Sequence, residues 1–368
     1  MKFRLLYAFI LASWCLLAVS GCALEGGTQD QAEPSMPPKE EAISAATDLF
    51  DAPEAEKRAG TTLEQLGKNP PPEEPEEREA PQSFHANALM SPEMVAFEAL
   101  HAVSPERERY LAFGAFILTS NRQSSRVFAL KDFSAGQAAE LIENSWGIVD
   151  RDTALVQLRS LAAAQGQSPI ADEIFDTVIR NGITAPMGDE GLFLLDGNIG
   201  SLPNLYAWAK RTVEREDYFE EFLLLLEELG ITLEQDEALE LLVLITMLER
   251  VNSGLEAFRI GHHMLGAAFN FTMEEILAIE TLAAWDFGRA AFIARYSVAA
   301  GYLFEEETWE YLKTAADSAS ALYSGWREYT LAYFLGRALA FGNDSVDQIA
   351  QLNFLLNHYG SPFATVDF

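Results

Sequence analysis

The sequence predicts an all-α fold, a multi-helix bundle of about ten to twelve helices preceded by a disordered tether. From about residue 88 onward, aliphatic and aromatic residues recur at helical spacing between capping residues and glycines. Strand signals are scarce, because the Asp196-Gly197 step lacks the alternating apolar flanks of a β-hairpin. The roughly 280 residues of this region suffice for one large helical domain or two small ones.

Caps and breakers place the individual helices. Ser104-Pro105 begins one that runs to about Leu118, and Ser134 begins the next, which reaches Ser145. Further helices are predicted at 150–166, 169–181, 204–214, 216–229, 233–251, 253–268, 272–300, 305–322, 325–341 and 344–358. The Gly-rich segment 182–203 is long enough to indicate a functional loop or a domain joint. The chain shows no consistent repeat period, and a helical solenoid stays an alternative.

One segment is apolar enough to raise the question of a membrane span. Residues 238–248 are nearly all aliphatic, but they include Glu240 and are too few to cross a bilayer. A buried core helix is the better interpretation.

The N-terminus has the layout of an export signal. Basic Lys2 and Arg4 precede an apolar run over residues 5–19, followed by small residues. Because a membrane-spanning helix needs roughly 20 apolar residues, this run indicates a removable signal and not a permanent span.

The end of that signal resembles the bacterial lipobox, in the quartet Val19-Ser20-Gly21-Cys22. The resemblance implies a lipoprotein signal peptide over residues 1–21 and an acylated Cys22, with palmitate among its acyl chains. Stable anchoring takes two or more such chains. Ala23 resembles the residue found in lipoproteins sorted to the outer membrane, so we expect a lipid-anchored envelope protein facing the periplasm. A chance cysteine in an ordinary signal, or an uncleaved anchor, is the alternative.

Residues 22–85 are predicted to form an acidic, Pro-rich, disordered tether. From residue 23 they hold nine of the fifteen prolines and fifteen acidic against five basic residues. Such a composition buries too little apolar area to offset the entropy of ordering. A short stretch over 41–50 has helical spacing and is a transient helix or a docking segment. The helical domain is expected over 86–368.

Charge and cysteine content exclude several kinds of function. The net charge of −31 opposes nucleic-acid binding, which depends on neutralising phosphates with Lys and Arg. Cys15 leaves with the signal and Cys22 is consumed by lipid, so the mature chain has no internal disulfide, thiolate metal site or cysteine nucleophile. The expected partners are the membrane, through the acyl chains, and envelope proteins or the cell wall.

Five segments together resemble a known family, the bacterial domain-of-unknown-function family 1266 (YbeU/YbeR-like), over about residues 110–342. They are Ser145-Trp146-Gly147-Ile148-Val149-Asp150-Arg151, Ala284-Trp285-Asp286-Phe287-Gly288-Arg289-Ala290, Gly301-Tyr302, Ser324-Gly325-Trp326-Arg327-Glu328 and Tyr333-Phe334-Leu335-Gly336-Arg337. The family pattern often has Gly-His where this chain reads Gly166-Gln167. The resemblance implies a helical fold and no established activity.

The first segment has a structural interpretation. Trp146, Gly147 and Asp150 read as a helix end, a glycine turn and an N-cap, with Asp150 favouring the positive end of the next helix. A binding role for Trp146 is the alternative.

The second segment carries the candidate site. Asp286 and Arg289 are neighbours on a helix that is apolar on nearly all sides, so both charges are expected to be buried and paired, in a clamp that also admits Arg337. The alternative is a pocket for a ligand or for acid-base chemistry. Its lining would comprise Trp285, Asp286, Arg289, Tyr302, Trp326, Glu328 and Arg337.

Metal and cofactor sites have little support in the sequence. The adjacent His262 and His263 point about 100° apart on a helix and do not form a ligand pair. The acids of the Gly-rich loop lack the spacing of an EF-hand. The chain has no hydrolase motif and no P-loop, so we expect no cofactor and no metal. An interaction or scaffolding module is therefore favoured over an enzyme, with an enzyme or ligand binder as the alternative.

Overall fold

The computed structural model describes residues 86–180, 202–215, 218–341 and 346–368. Within these ranges the regular structure is helical, no β-strand occurs, and a single bridge joins Ala102 to Val127. The all-α fold predicted from the sequence is confirmed. The signal peptide 1–21, Cys22, the tether 22–85 and residues 182–201 of the Gly-rich loop lie outside the described residues.

In the described part of the chain, fourteen α-helices follow a single helical turn at Ala86–Leu89. In chain order they are α1 Pro92–Leu100, α2 Pro105–Ala112, α3 Ala115–Ser120, α4 Ala135–Trp146, α5 Arg151–Ala162, α6 Ser168–Ile174, α7 Pro203–Arg215, α8 Tyr218–Glu228, α9 Gln235–Phe269, α10 Met273–Ala278, α11 Ala284–Ala299, α12 Glu305–Leu322, α13 Trp326–Phe341 and α14 Val346–Asn357. A π-helical turn, Phe175–Arg180, continues α6, and a short 3-10 helix, Pro362–Ala364, lies near the C-terminus.

Local sequence signals account for several of these boundaries. Ser91, Ser104, Ser134 and Thr272 each accept a hydrogen bond from a backbone N–H in the first turn of the following helix. The bounds of α12 agree with the predicted 305–322, and those of α4, α7 and α13 agree within one residue.

The described residues contain more helices than the predicted ten to twelve, because two predicted helices are each divided and α1 was not predicted. The helix expected over 105–118 is interrupted before Gly114, where an added Cβ would lie 2.5 Å from the Cβ of Ala291. The helix expected over 272–300 is interrupted between α10 and α11, where Asp172 accepts hydrogen bonds from the hydroxyl of Thr281 and the backbone N–H of Leu282.

One predicted break does not occur. Helices expected over 233–251 and 253–268 form the continuous helix α9. Asn252, Ser253 and Gly254 are weak helix formers, but Val251 and Ala257 on either side of them are buried, and burial outweighs their intrinsic preference.

The chain divides into two compact units, and the described part of the larger one comprises residues 86–172, 257–341 and 346–368. Helix α11 forms its centre, because every residue from Ala284 to Ser297 is buried. It packs against α3, α4, α5, α12 and α13. A helix buried on all sides is apolar on all sides, so each charged residue on it requires an internal partner.

The smaller unit comprises the described residues within Glu173–Glu256. Its core is formed by Phe222, Leu226, Ala238, Leu241 and Ile245, so the apolar segment 238–248 supplies core residues. Among the residues that the structure describes, no helix is long and apolar enough to cross a membrane.

Candidate functional site

The carboxylate of Asp286 is the most heavily hydrogen-bonded side chain of the predicted site. Its Oδ2 accepts from the backbone N–H groups of Gly166, at 2.7 Å, and Ser168, at 3.2 Å. Its Oδ1 accepts from the N–H of Gln167, at 3.0 Å, and from the guanidinium of Arg289. Asp286 is fully buried and Arg289 is 3% exposed, so the pair is sealed from solvent.

The three backbone donors belong to the N-terminus of α6. These N–H groups have no partner within their own helix and carry its positive dipole end, which favours an anion. Asp286 supplies that anion from another helix. Gly166 makes the approach possible, since a Cβ there would lie 2.7 Å from Oδ1 of Asp286.

The capping is reciprocal between α6 and the residues that lead into α11. Asp172 on α6 accepts from the backbone N–H of Leu282 at 2.6 Å and from Thr281 at 2.7 Å. Ser168 donates its hydroxyl hydrogen to the carbonyl of Leu282 and accepts from the N–H of Asp286. Side chains of each segment therefore satisfy backbone hydrogen-bonding groups at the beginning of the other.

The Arg289 guanidinium makes two further hydrogen bonds and two cation–π contacts. It donates to the side-chain oxygen of Gln167 at 2.9 Å and to the carbonyl of Trp285 at 3.2 Å. It lies over the rings of Trp285, at 4.3 Å, and Trp146, at 5.2 Å. Burial lowers the pKa of Arg289, and the neighbouring Asp286 carboxylate opposes that shift.

Helices α11 and α13 interlock through the glycines of two similar segments. An added Cβ on Gly288 would lie 2.4 Å from the ring of Tyr333, and one on Gly336 would lie 2.8 Å from the Cβ of Trp285. Each glycine thus faces the aromatic residue three positions before the other glycine. Trp285 and Tyr333 meet edge to face, with ring centroids 5.2 Å apart. The repeated aromatic-x-x-Gly-Arg pattern therefore serves close helix packing.

Arg337 does not join the clamp that includes Asp286. No hydrogen bond or ion pair connects the two within the described chain, and Arg337 is partly exposed. Burial lowers the pKa of its guanidinium, with Tyr333 as the neighbouring group that acts against it. Arg337 therefore does not complete the Asp286–Arg289 pair, because both carboxylate oxygens of Asp286 already accept two hydrogen bonds from other groups.

Three further candidates lie in other surroundings. Trp326 donates to the carbonyl of Val366 and stacks on Phe363 at 4.2 Å, so it holds the C-terminal segment. Glu328 accepts from the backbone N–H and the hydroxyl of Ser324, as a local cap of α13. Tyr302 is partly exposed in the turn between α11 and α12. The structure does not bring these residues to Asp286.

The Trp146 segment forms a helix end followed by a cap. Gly147 ends α4 with a φ of 63°, in the left-handed region that favours glycine. Asp150 accepts from the backbone N–H of Thr153 at 2.9 Å and from its hydroxyl at 2.7 Å. These hydrogen bonds lower the pKa of the Asp150 carboxyl.

Sequence reasoning missed Gln167, Ser168 and Arg295. Gln167 stands where the family pattern often has histidine, and this departure was the available signal for its contact with Arg289. Arg295 is a further charge on the apolar helix α11, and that position could have identified it as buried. Only the fold could show that Ser168 approaches Asp286.

In this arrangement the Asp286 carboxylate has no free acceptor position for a ligand. Both Asp286 oxygens accept two hydrogen bonds each, and all of its donors are protein groups. Among the described residues, no group of three or more His, Cys, Asp or Glu side chains is placed to bind a metal ion. The arrangement joins two helix ends.

Comparison with known proteins finds one similarity, in the C-terminal part of the chain. The family model described as "Protein of unknown function (DUF1266)" matches residues 206–368. No curated protein and no solved structure matches the chain. The match begins later than the predicted 110–342 and extends to the last residue, so it contains Asp286 and Arg289 but not Trp146 or Gln167. Over residues 206–368, the chain is therefore similar to the domain-of-unknown-function family 1266.

Proposed function

We propose that this protein is an acyl-anchored lipoprotein of the cell envelope whose helical region is an interaction module and not an enzyme. The proposal of an interaction module rests on one observation, that Asp286 and Arg289 form an internal helix cap. The charges that would have served catalysis are 0% and 3% exposed and make four hydrogen bonds to backbone and side-chain groups of α6 and its lead-in.

The surface supports the same proposal. Phe304, the residue before α12, is 78% exposed. Single exposed apolar residues are ordinary, but an exposed phenylalanine beside ion pairs resembles the aromatic anchors that protein interfaces favour. Here the neighbouring Glu307 accepts from the backbone N–H of Phe304 at 2.7 Å and pairs with Arg151.

The anchor rests on the lipobox resemblance and is tested by metabolic labelling. Cells that express the full chain are fed an alkyne-labelled palmitate, and incorporation is read after conjugation to a dye. Cys22→Ala is expected to abolish the label and release the protein from membranes, whereas Cys15→Ala, the only other cysteine change, is expected to keep both. Label that persists in Cys22→Ala refutes the anchor.

The interaction role is tested by comparing variants of the full chain. Phe304→Glu and the control Leu322→Glu each place a carboxylate at an exposed apolar position of the larger unit. Proteins that copurify from detergent-solubilised envelopes are quantified by mass spectrometry. We expect a defined set to be lost with Phe304→Glu and retained with Leu322→Glu. Equal recovery with both variants contradicts a role for this surface.

A further inference from the structure

An open cavity of about 500 Å³ lies in the larger unit, away from the Asp286 cluster. Its volume is within the range of small-molecule sites. It lies where the N-terminus of α2, at Ser104, approaches that of α12, at Glu305. The lining residues are His101, Ala102, Val103, Ser104, Arg107, Phe128, Ala129 and Glu305.

A buried positive charge lies directly behind one wall of this cavity. Arg295 is 1% exposed and donates to three backbone carbonyls, those of Phe128 at 2.8 Å, Ala129 at 2.6 Å and Ser124 at 2.6 Å. No carboxylate pairs with it in the described chain. Burial lowers the pKa of Arg295 to about 9, which leaves the guanidinium charged at neutral pH. Arg295 therefore places a positive charge without a counter-ion behind this wall.

A buried hydrogen-bond donor without an acceptor adjoins the same wall. Trp309 on α12 is 6% exposed, and its Nε1–H has no partner among the described residues. Its ring contacts two residues of the cavity lining, Phe128 at 5.0 Å between centroids and the guanidinium of Arg107 at 4.6 Å. Trp309 does not itself line the cavity, and its indole N–H is closed to solvent, so the indole serves as a reporter of changes at Arg107.

The cavity also has one unpaired carboxylate. Glu305 lines it, and no hydrogen bond or ion pair engages that carboxylate within the described ranges. The next residue, Glu306, pairs instead with Arg107 through two contacts of 2.6 and 3.1 Å. Arg107 keeps further N–H donors for another group, since a guanidinium has five.

We propose that this cavity binds a zwitterionic ligand of about dipeptide size, with its carboxylate at Arg107 and its ammonium group at Glu305. A simple anion would meet the Glu305 carboxylate, and a simple cation would meet Arg107 and the buried Arg295. A ligand that carries both charges satisfies both sides. The proposal does not depend on Cys22 or on a membrane anchor. The ligand proposal can therefore fail while the proposed function holds, and the proposed function can fail while ligand binding holds.

The test uses the full-length chain labelled with 15N-tryptophan. L-alanyl-L-alanine is titrated to about 10 mM, which would detect even a millimolar Kd. Heat is measured by calorimetry, and the indole N–H signals by NMR, with the Trp309 signal assigned by its loss in Trp309→Phe. We expect saturable binding that shifts the Trp309 signal. N-acetylated and C-amidated forms of the dipeptide should each bind roughly tenfold more weakly, since each lacks one charged contact.

Matched variants separate ligand contact from structure. Arg107→Ala and Glu306→Gln both remove the same exposed ion pair, which contributes little to stability. Only Arg107→Ala removes the proposed carboxylate contact, so it should weaken binding by roughly tenfold while Glu306→Gln does not. Glu305→Gln should weaken binding of the free dipeptide, and the exposed Glu310→Gln on the same helix should not.

Several outcomes would overturn the proposal. The first is the absence of saturable binding, and the second is binding that leaves the Trp309 signal unmoved. The third is an affinity for the acetylated and amidated forms equal to that for the free dipeptide. The fourth is full affinity in both Arg107→Ala and Glu305→Gln.

Discussion

Replacing Asp286 with asparagine tests whether the buried cluster is structural. The substitution keeps the size of the side chain but exchanges one carboxylate oxygen for an NH2 group. If nitrogen takes the Oδ2 position, it faces the N–H groups of Gly166 and Ser168; at Oδ1, it faces Gln167 and Arg289. Either orientation loses the two hydrogen bonds that the replaced oxygen accepted, and it leaves the buried guanidinium without its counter-charge.

The expected loss is large for a single substitution. Breaking a buried ion pair by removing one partner costs about 3–5 kcal/mol. Asp317→Asn is the control, because Asp317 is 52% exposed and pairs with Lys313 at the surface. Exposed pairs contribute about 0–1 kcal/mol, so the control should lie close to the wild type.

Equilibrium unfolding in urea measures the difference. The full chain is followed by far-ultraviolet circular dichroism and by tryptophan fluorescence, which detects Trp146 and Trp285 beside the cluster. The transition of the larger unit should move to lower urea in Asp286→Asn. A loss of less than about 1 kcal/mol, with normal expression, would refute the structural assignment and return the cluster to the list of candidate active sites.

Three further predictions follow from packing, protonation and buried charge. Gly288→Ala should destabilise by about 1–3 kcal/mol through overpacking, whereas Gly136→Ala, with open space around it, should not lower the unfolding midpoint. Burial and the neighbouring His263 lower the pKa of His262, so the folded protein should lose stability as the pH falls below about 6.5. His262→Gln should remove this loss of stability at low pH, whereas His263→Gln should largely retain it. An unchanged pH profile of stability in His262→Gln contradicts the prediction. Arg295→Met leaves three carbonyls without a donor, and faster amide exchange over residues 124–129 should result; unchanged exchange there would show that the guanidinium does not hold the segment.

Much of the fold was predictable because its signals are local. Ser104 and Ser134 are flanked by the residues that they cap, and the helical spacing of apolar residues over 305–322 needs no tertiary information. The two divided helices were not predictable in the same way. Their interruptions depend on Ala291 and Asp172, which are distant in sequence from the positions that they affect.

The sequence predicted the paired charges of the candidate site but not their other hydrogen-bond partners. A charged pair three residues apart on an apolar helix predicts mutual contact, and Asp286 and Arg289 make that contact. The remaining partners, Gly166, Gln167 and Ser168, lie about 120 residues earlier in the chain. Arg337 was expected to join the clamp from a later helix, but the structure instead packs the neighbouring Gly336 on Trp285.

The sequence by itself determined the helical class, the positions of most helix ends and the need for Asp286 and Arg289 to be paired. Each of these follows from interactions within a few residues or from the cost of an unpaired charge on a buried face. Only the tertiary structure decided that the Asp286 carboxylate caps α6 and that Arg107, Trp309 and Glu305 adjoin one cavity. Hydrogen bonds and cavities form between groups that are close in space, and the distance between two residues along the sequence does not show whether they are close in the fold.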